Sequence, residues 1–106
     1  FMADPTFVKK VDEQVKANPV MIYMKGSPES PMCGFSARAV AVLREAGATK
    51  MVSVDVLQDD MLWDALEEYS KWPTVPQIFI NGQFVGGCDI ISEMHETGEL
   101  AKLLHN

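Results

Sequence analysis

The sequence predicts an α/β fold, a mixed four-stranded sheet with helices on both faces. Three observations carry this. Apolar residues switch between helical spacing and short β-rich runs in the order α, β, α, β, α, β, β, α. A helical segment lies between the first two strands, and such a crossover implies that they pair in parallel. Asn81-Gly82 separates the last two strands and is the strongest short hairpin signal, so that pair is antiparallel.

Each element follows from its residues. Phe7, Val8, Val11 and Val15 recur at helical spacing over 5–17, with Asp4 as N-cap before Pro5 at the first helical position. Asn18-Pro19 ends that helix. Val20 to Met24 is a short β-rich run, and Lys25-Gly26-Ser27-Pro28 opens a polar loop that runs to Pro31. From Gly34, the residues Phe35, Ala39, Val42, Leu43 and Ala46 mark a helix that Gly47 stops, with Cys33 at its N-terminus. Met51 to Val56 reads as the second strand. Met61 to Tyr69 is a helix with Leu62, Leu66 and Tyr69 on one face, capped by Asp59 or Asp60. Gln77 to Ile80 and Gln83 to Val85 form the hairpin, and Ile90 to Leu104 closes the chain as one helix started by Asp89 or Ser92.

Composition narrows the function. At 106 residues and 47% hydrophobic content, the chain has the size of a single domain, 1–106, without repeat, linker or low-complexity tract. The net charge of −6 makes nucleic acid a poor partner, because that affinity rests on Lys and Arg neutralising phosphates. Apolar runs such as Val20 to Met24 fall far short of the ~20 residues that span a bilayer, so no membrane segment is expected. The opening Phe1-Met2-Ala3 shows no leader pattern, and a signal or transit peptide is expected to be absent. Two cysteines, Cys33 and Cys88, do not make a disulfide scaffold and suit a reducing compartment. The seven methionines read as core filling, and His95 and His105 as surface or capping residues with no cysteine at zinc-like spacing.

Cys33 is the residue that asks for a function. A C-x-x-C pair would need cysteine at position 36, where the chain has Ser36. At a helix N-terminus, unpaired N–H groups and the positive end of the dipole favour a thiolate and bring a cysteine from about 8.5 to roughly 3.5–7.5. Lys25 adds a positive charge at the end of the preceding strand, and Gly34 lets another molecule approach the backbone. Ser36 reads as a helix-start residue bonding back toward the Cys33 N–H, and that is its whole expected local role.

Lys25, then Cys33-Gly34-Phe35-Ser36, then Trp72-Pro73-Thr74-Val75-Pro76-Gln77, then Gly86-Gly87-Cys88-Asp89 resemble the four signatures of the monothiol, CGFS-type glutaredoxins, in order and at their spacing. The resemblance covers nearly the whole chain and implies a thioredoxin fold. It further implies that Thr74-Val75-Pro76 is a cis-proline loop offering its Val75 backbone to a peptide-like ligand. Asp89 is implied to receive the γ-glutamyl end of glutathione, with Lys25, Gly34, Phe35 and Cys88 also around the thiol cofactor. Cys88 reads equally well as a small buried residue.

For a lone thiolate the resemblance favours ligation of a metal centre. A 2Fe-2S cluster needs four ligands. One exposed thiolate per chain implies a subunit-bridging cluster held by Cys33 from each of two chains and by two glutathione sulfurs. Such a protein is a monomer without the cluster and a homodimer with it, and works with BolA-like proteins and iron-sulfur recipient proteins. The single-domain form points to the mitochondrion, with the cytoplasm as the alternative. Two rival functions stand beside this one. The first is a monothiol oxidoreductase acting on glutathione mixed disulfides, resolved by a second glutathione or by Cys88. The second is an adaptor whose site only docks a partner.

The resemblance breaks in the helix before Trp72. Related proteins usually carry basic residues there to hold the glycine carboxylate of glutathione, and the matching positions are Trp63 and Glu67. Lys71 is a candidate to compensate. Alternatively, Asp64, Glu67 and Glu68 attract a related thiol whose carboxylate is masked by a cationic group, such as a polyamine-conjugated glutathione. A solvated acidic helix face is the plainer reading. Trp72 either stacks against the site wall or packs.

Overall fold

The computed structural model describes residues 2–105, so Phe1 of the leader reading and Asn106 at the end of the expected domain lie outside the described residues. The elements are α1 (Pro5–Ala17), β1 (Val20–Met24), β2 (Gly26–Ser27), β3 (Ser30–Pro31), α2 (Gly34–Glu45), β4 (Met51–Asp55), a 3-10 turn (Val56–Gln58), α3 (Asp60–Ser70), β5 (Gln77–Ile80), β6 (Gln83–Gly86), α4 (Cys88–Thr97) and α5 (Glu99–Leu104).

The main sheet has the order β4-β1-β5-β6. β1 pairs in parallel with β4, Val20 opposite Met51, and antiparallel with β5, Tyr23 opposite Gln77. The β5–β6 hairpin is antiparallel, as Asn81-Gly82 predicts, and both turn residues take positive φ, 52° and 80°. β1 is central and buried on both faces, which is why VMIYM reads as an unbroken apolar run. Its alternate residues serve two cores. Ile22 and Met24 join Ile78, Ile80, Leu43 and Ile91 under α2 and α4, while Met21 and Tyr23 join Phe79, Val11, Val15 and Leu66 under α1 and α3. Phe79 lies edge-on to Tyr23 with ring centroids 5.7 Å apart. The mixed sheet with helices on both faces is the predicted fold. No helix among the described residues is long and apolar enough to cross a membrane.

The caps follow side-chain chemistry. Asp4 accepts the Thr6 N–H at 2.8 Å, and Asp59 accepts those of Met61 and Leu62 at 3.1 and 3.2 Å. Four expectations need correction. The polar loop after β1 contains its own two-residue hairpin, with Gly26 opposite Pro31 and Ser27 opposite Ser30. Val56 leaves β4 for the 3-10 turn, because the Asp55 side chain accepts the Leu57 N–H. The last helix begins at Cys88 behind Gly87, without a side-chain cap from Asp89 or Ser92, and breaks at Gly98, whose φ of +85° ends α4. Only some methionines fill the core: Met21 and Met24 are fully buried, whereas Met2, Met32 and Met61 are exposed.

Two glycines with the same φ of +85° isolate the effect of a close approach. A Cβ at Gly26 would lie 2.5 Å from the Ser30 carbonyl and 2.8 Å from the Met32 nitrogen, whereas at Gly98 it would meet nothing within 4 Å. Both substitutions incur the left-handed cost of about 1–2 kcal/mol. Gly26→Ala should add an overpacking cost of roughly 1–3 kcal/mol. Chemical denaturation of the two variants measures the difference, and equal losses would contradict the tight β2–β3 turn.

Candidate functional site

The site begins where β1 ends. The Lys25 backbone N–H, one residue beyond the strand, donates to Ser36 Oγ at 3.2 Å, tying the strand to the first turn of α2. Ser36 is fully buried. Its hydroxyl therefore does more than the helix-start role expected of it: it fastens two elements on either side of the thiol. A second fastener comes from β4, where Asp55 Oδ1 accepts the Gly26 and Leu57 N–H groups, each at 3.0 Å. Partial burial acts to raise the Asp55 pKa, but the N–H groups of Gly26 and Leu57 and the Gln58 amide hold it below the usual carboxylate range.

Cys33 is the N-cap of α2, in extended conformation and half-buried. Its thiol closes no capping hydrogen bond of ordinary geometry. It nevertheless lies close enough to the first-turn donors for its pKa to fall below the usual thiol value. The Ser36 backbone N–H is the largest influence; burial opposes it, and the Phe35 N–H, the Ser36 hydroxyl and the Lys25 charge reinforce it. Lys25 has a second partner, since its Nζ lies 5.6 Å from the centre of the Trp63 ring. Trp63, one of the two departures from the family pattern, thus holds a site cation through its aromatic face.

A cavity of about 310 Å³ adjoins this junction. Phe35 stands on one side, Thr74, Val75 and Pro76 form another wall, and Cys88 and Asp89 close it from the first turn of α4. Six of the nine expected site residues therefore share one cavity, while Lys25, Cys33 and Gly34 belong to the strand–helix junction beside it. The Val75–Pro76 bond is cis. Gly87 allows α4 to start against this loop, since a Cβ there would meet the Pro76 carbonyl at 3.3 Å. Cys88 is buried within the core, as its small-residue reading holds. Phe35 is 63% exposed, so it serves the site and not the core face assigned to it by periodicity. Trp72 and Ile90, not expected in the binding set, also line the cavity and are half-exposed. For Ile90 the available signal was its place immediately after Cys88-Asp89.

The acidic residues of α3 are divided. Glu67 and Glu68 line a separate cavity of about 300 Å³ together with Lys71 and Pro73, whereas Asp64 lines another near Met2 and Met61. All three nonetheless stand on α3 at i, i+3 and i+4, so they remain neighbours on one helix surface, as the acidic-face reading has it. Lys71 does sit beside Glu67, in a left-handed conformation that caps α3.

The lowered Cys33 pKa has a direct consequence. Alkylation by iodoacetamide, followed at Cys33 by mass spectrometry, should speed up with pH through a midpoint below the ordinary thiol value of about 8.5. Ser36→Ala should raise that midpoint only in part, because the backbone N–H remains. A wild-type midpoint at or above the ordinary value would contradict the donor arrangement.

Comparison with known proteins agrees with this geometry. The family model for glutaredoxin matches residues 20–85. Monothiol glutaredoxin-5, mitochondrial, of Schizosaccharomyces pombe is 46% identical over 96 residues, covering 89% of this chain and 66% of that protein. Glutaredoxin 4 of Escherichia coli (strain K12) is 46% identical over 99 residues, covering 93% of this chain and 85% of that protein. The chain thus spans just under two thirds of the fission-yeast relative. The crystal structure of a buckwheat glutaredoxin–glutathione complex superimposes with a TM-score of 0.83 at 28% identity, covering 94% of this chain and 88% of that one. With Cys33 unaccompanied by a cysteine at position 36, the chain belongs to the glutaredoxin family as one of its monothiol members.

Proposed function

We propose that residues 1–106 form one domain that carries a 2Fe-2S cluster for iron-sulfur protein biogenesis, the cluster being its cargo. The observation that carries this reading is the lone Cys33, a half-buried thiol of lowered pKa two residues before Phe35 of the cavity wall. A low-pKa thiolate is a good metal ligand. Among the described residues no three His, Cys, Asp or Glu side chains gather as a metal site, so one chain does not complete four ligands. The remaining three come from Cys33 of a second copy and from two glutathione sulfurs.

The cavity suits an extended thiol tripeptide. The Val75 backbone is available to its peptide groups, Asp89 to its γ-glutamyl amino end, and Lys25, through Trp63, stands near the thiol end. Gly34, Phe35, Thr74, Pro76 and the Cys88 backbone complete the binding set. The likeness to a glutaredoxin–glutathione complex supports this ligand. The exposed Phe35, Trp72 and Ile90 line this cavity and the exposed Met32 precedes Cys33, apolar surface suited to being covered by a second copy in the loaded state and by a BolA-like or recipient protein during transfer. The cluster-free chain is then a monomer. The name of the fission-yeast relative supports a mitochondrial setting, with the cytoplasm as the alternative.

The lowered Cys33 pKa also suits a second reading, attack on glutathione mixed disulfides. Anaerobic reconstitution with iron, sulfide and glutathione separates the two. The carrier reading predicts a coloured dimer by visible absorption and size-exclusion chromatography, lost in Cys33→Ser or without glutathione. A colourless monomer that turns over mixed disulfides would overturn it in favour of the oxidoreductase.

A further inference from the structure

Gln77 is a buried polar residue that the proposed site does not use. It opens β5, is 1% exposed and lies directly behind the loop 72–76. Its Nε2 donates to the Trp72 carbonyl at 2.9 Å and to the Thr74 carbonyl at 3.0 Å, so both amide hydrogens go to one loop. Two carbonyls can be met only by the NH2 end, which fixes the amide orientation. The other end, Oε1, is buried without a protein partner. An apolar side chain of the same length would avoid burying that acceptor, so the value of the amide lies in what its donors hold.

The loop needs such a support. Pro73 and Pro76 lack N–H groups, and the segment belongs to no helix or strand. Apart from Gln77, its side-chain partner is Ser70, whose Oγ accepts the Trp72 N–H at 3.1 Å. The opposite side of the same loop forms a wall of the cavity. We propose that Gln77 is a positioning residue for the thiol ligand: its amide holds the 72–76 loop from behind in the place where Thr74 and Val75 meet that ligand. This rests on the glutathione reading given above.

The test is an NMR titration of the cluster-free wild type and Gln77→Met with reduced glutathione, alongside the Cys33 alkylation profile of both. The expected result is a Kd raised about tenfold in Gln77→Met, the low end of what removing a supporting hydrogen bond costs at metal sites. The alkylation midpoint should stay unchanged, because the amide acts on the loop and not on the thiol. Equal affinities would overturn the proposal and leave the glutathione reading standing. A Kd and a midpoint that move together would mark general loosening and also overturn it. No binding by wild type would overturn both. Should Gln77→Met fail to fold, Gln77→Asn, whose shorter amide cannot reach both carbonyls, is titrated with the same expectations.

Discussion

The site depends on one part-buried hydrogen bond, from the Lys25 backbone N–H to the buried Ser36 hydroxyl. Such a bond contributes only about 0.5–1.5 kcal/mol net, but either group left unpaired in the interior costs more. Its importance is geometric. It fastens the end of the central strand to the first turn of α2, and that turn supplies the donors that stabilise the Cys33 thiolate. Serine at position 36 therefore does two things at once. It removes the second thiol that would close a disulfide, and it supplies the fastening that keeps the remaining thiol at a helix N-terminus.

From that junction outward the site has two halves with different chemistry. The thiol half is polar and tightly tied, through Ser36, the Asp55 carboxylate on the Gly26 turn, and Lys25 shared between Cys33 and the Trp63 ring. The cavity half is made of backbone, of the 72–76 loop and of the start of α4, with Trp72, Phe35 and Ile90 as its apolar margin. Gly87 lets these two segments touch, and Gln77 braces one of them from the core. The 72–76 loop and the start of α4 are thus braced by residues other than those that tie the thiol half.

What the sequence made legible were features encoded locally. VMIYM, the Asp4-Pro5 start, Asn81-Gly82 and Cys33 just before a helix each depend on neighbours within a few residues, and each stands where expected. The β2–β3 hairpin escaped because two-residue strands leave no period to detect, and Gly98 escaped because a lone glycine in a helical pattern does not announce a positive φ. The pairings that shape the site lay out of reach for another reason. Ser36 with Lys25 and Trp63 with Lys25 depend on packing between elements, and nothing in linear spacing signals them; Gln77 with the Trp72 carbonyl is close in sequence, but an irregular loop carries no period that would announce the bond. Motif resemblance assembled most of the cavity wall and offered Trp72 as one of two readings, while Ile90 became a site residue only once the fold brought it there.

The account's central claim is that the partners missing from Cys33 arrive from outside the chain. Native mass spectrometry of the anaerobically loaded protein measures this directly, because the mass of the intact complex counts every ligand. The account predicts two chains, two glutathione molecules and one 2Fe-2S unit. A loaded species without glutathione, or a cluster on a single chain, would contradict it and would move attention to Cys88 as an internal ligand.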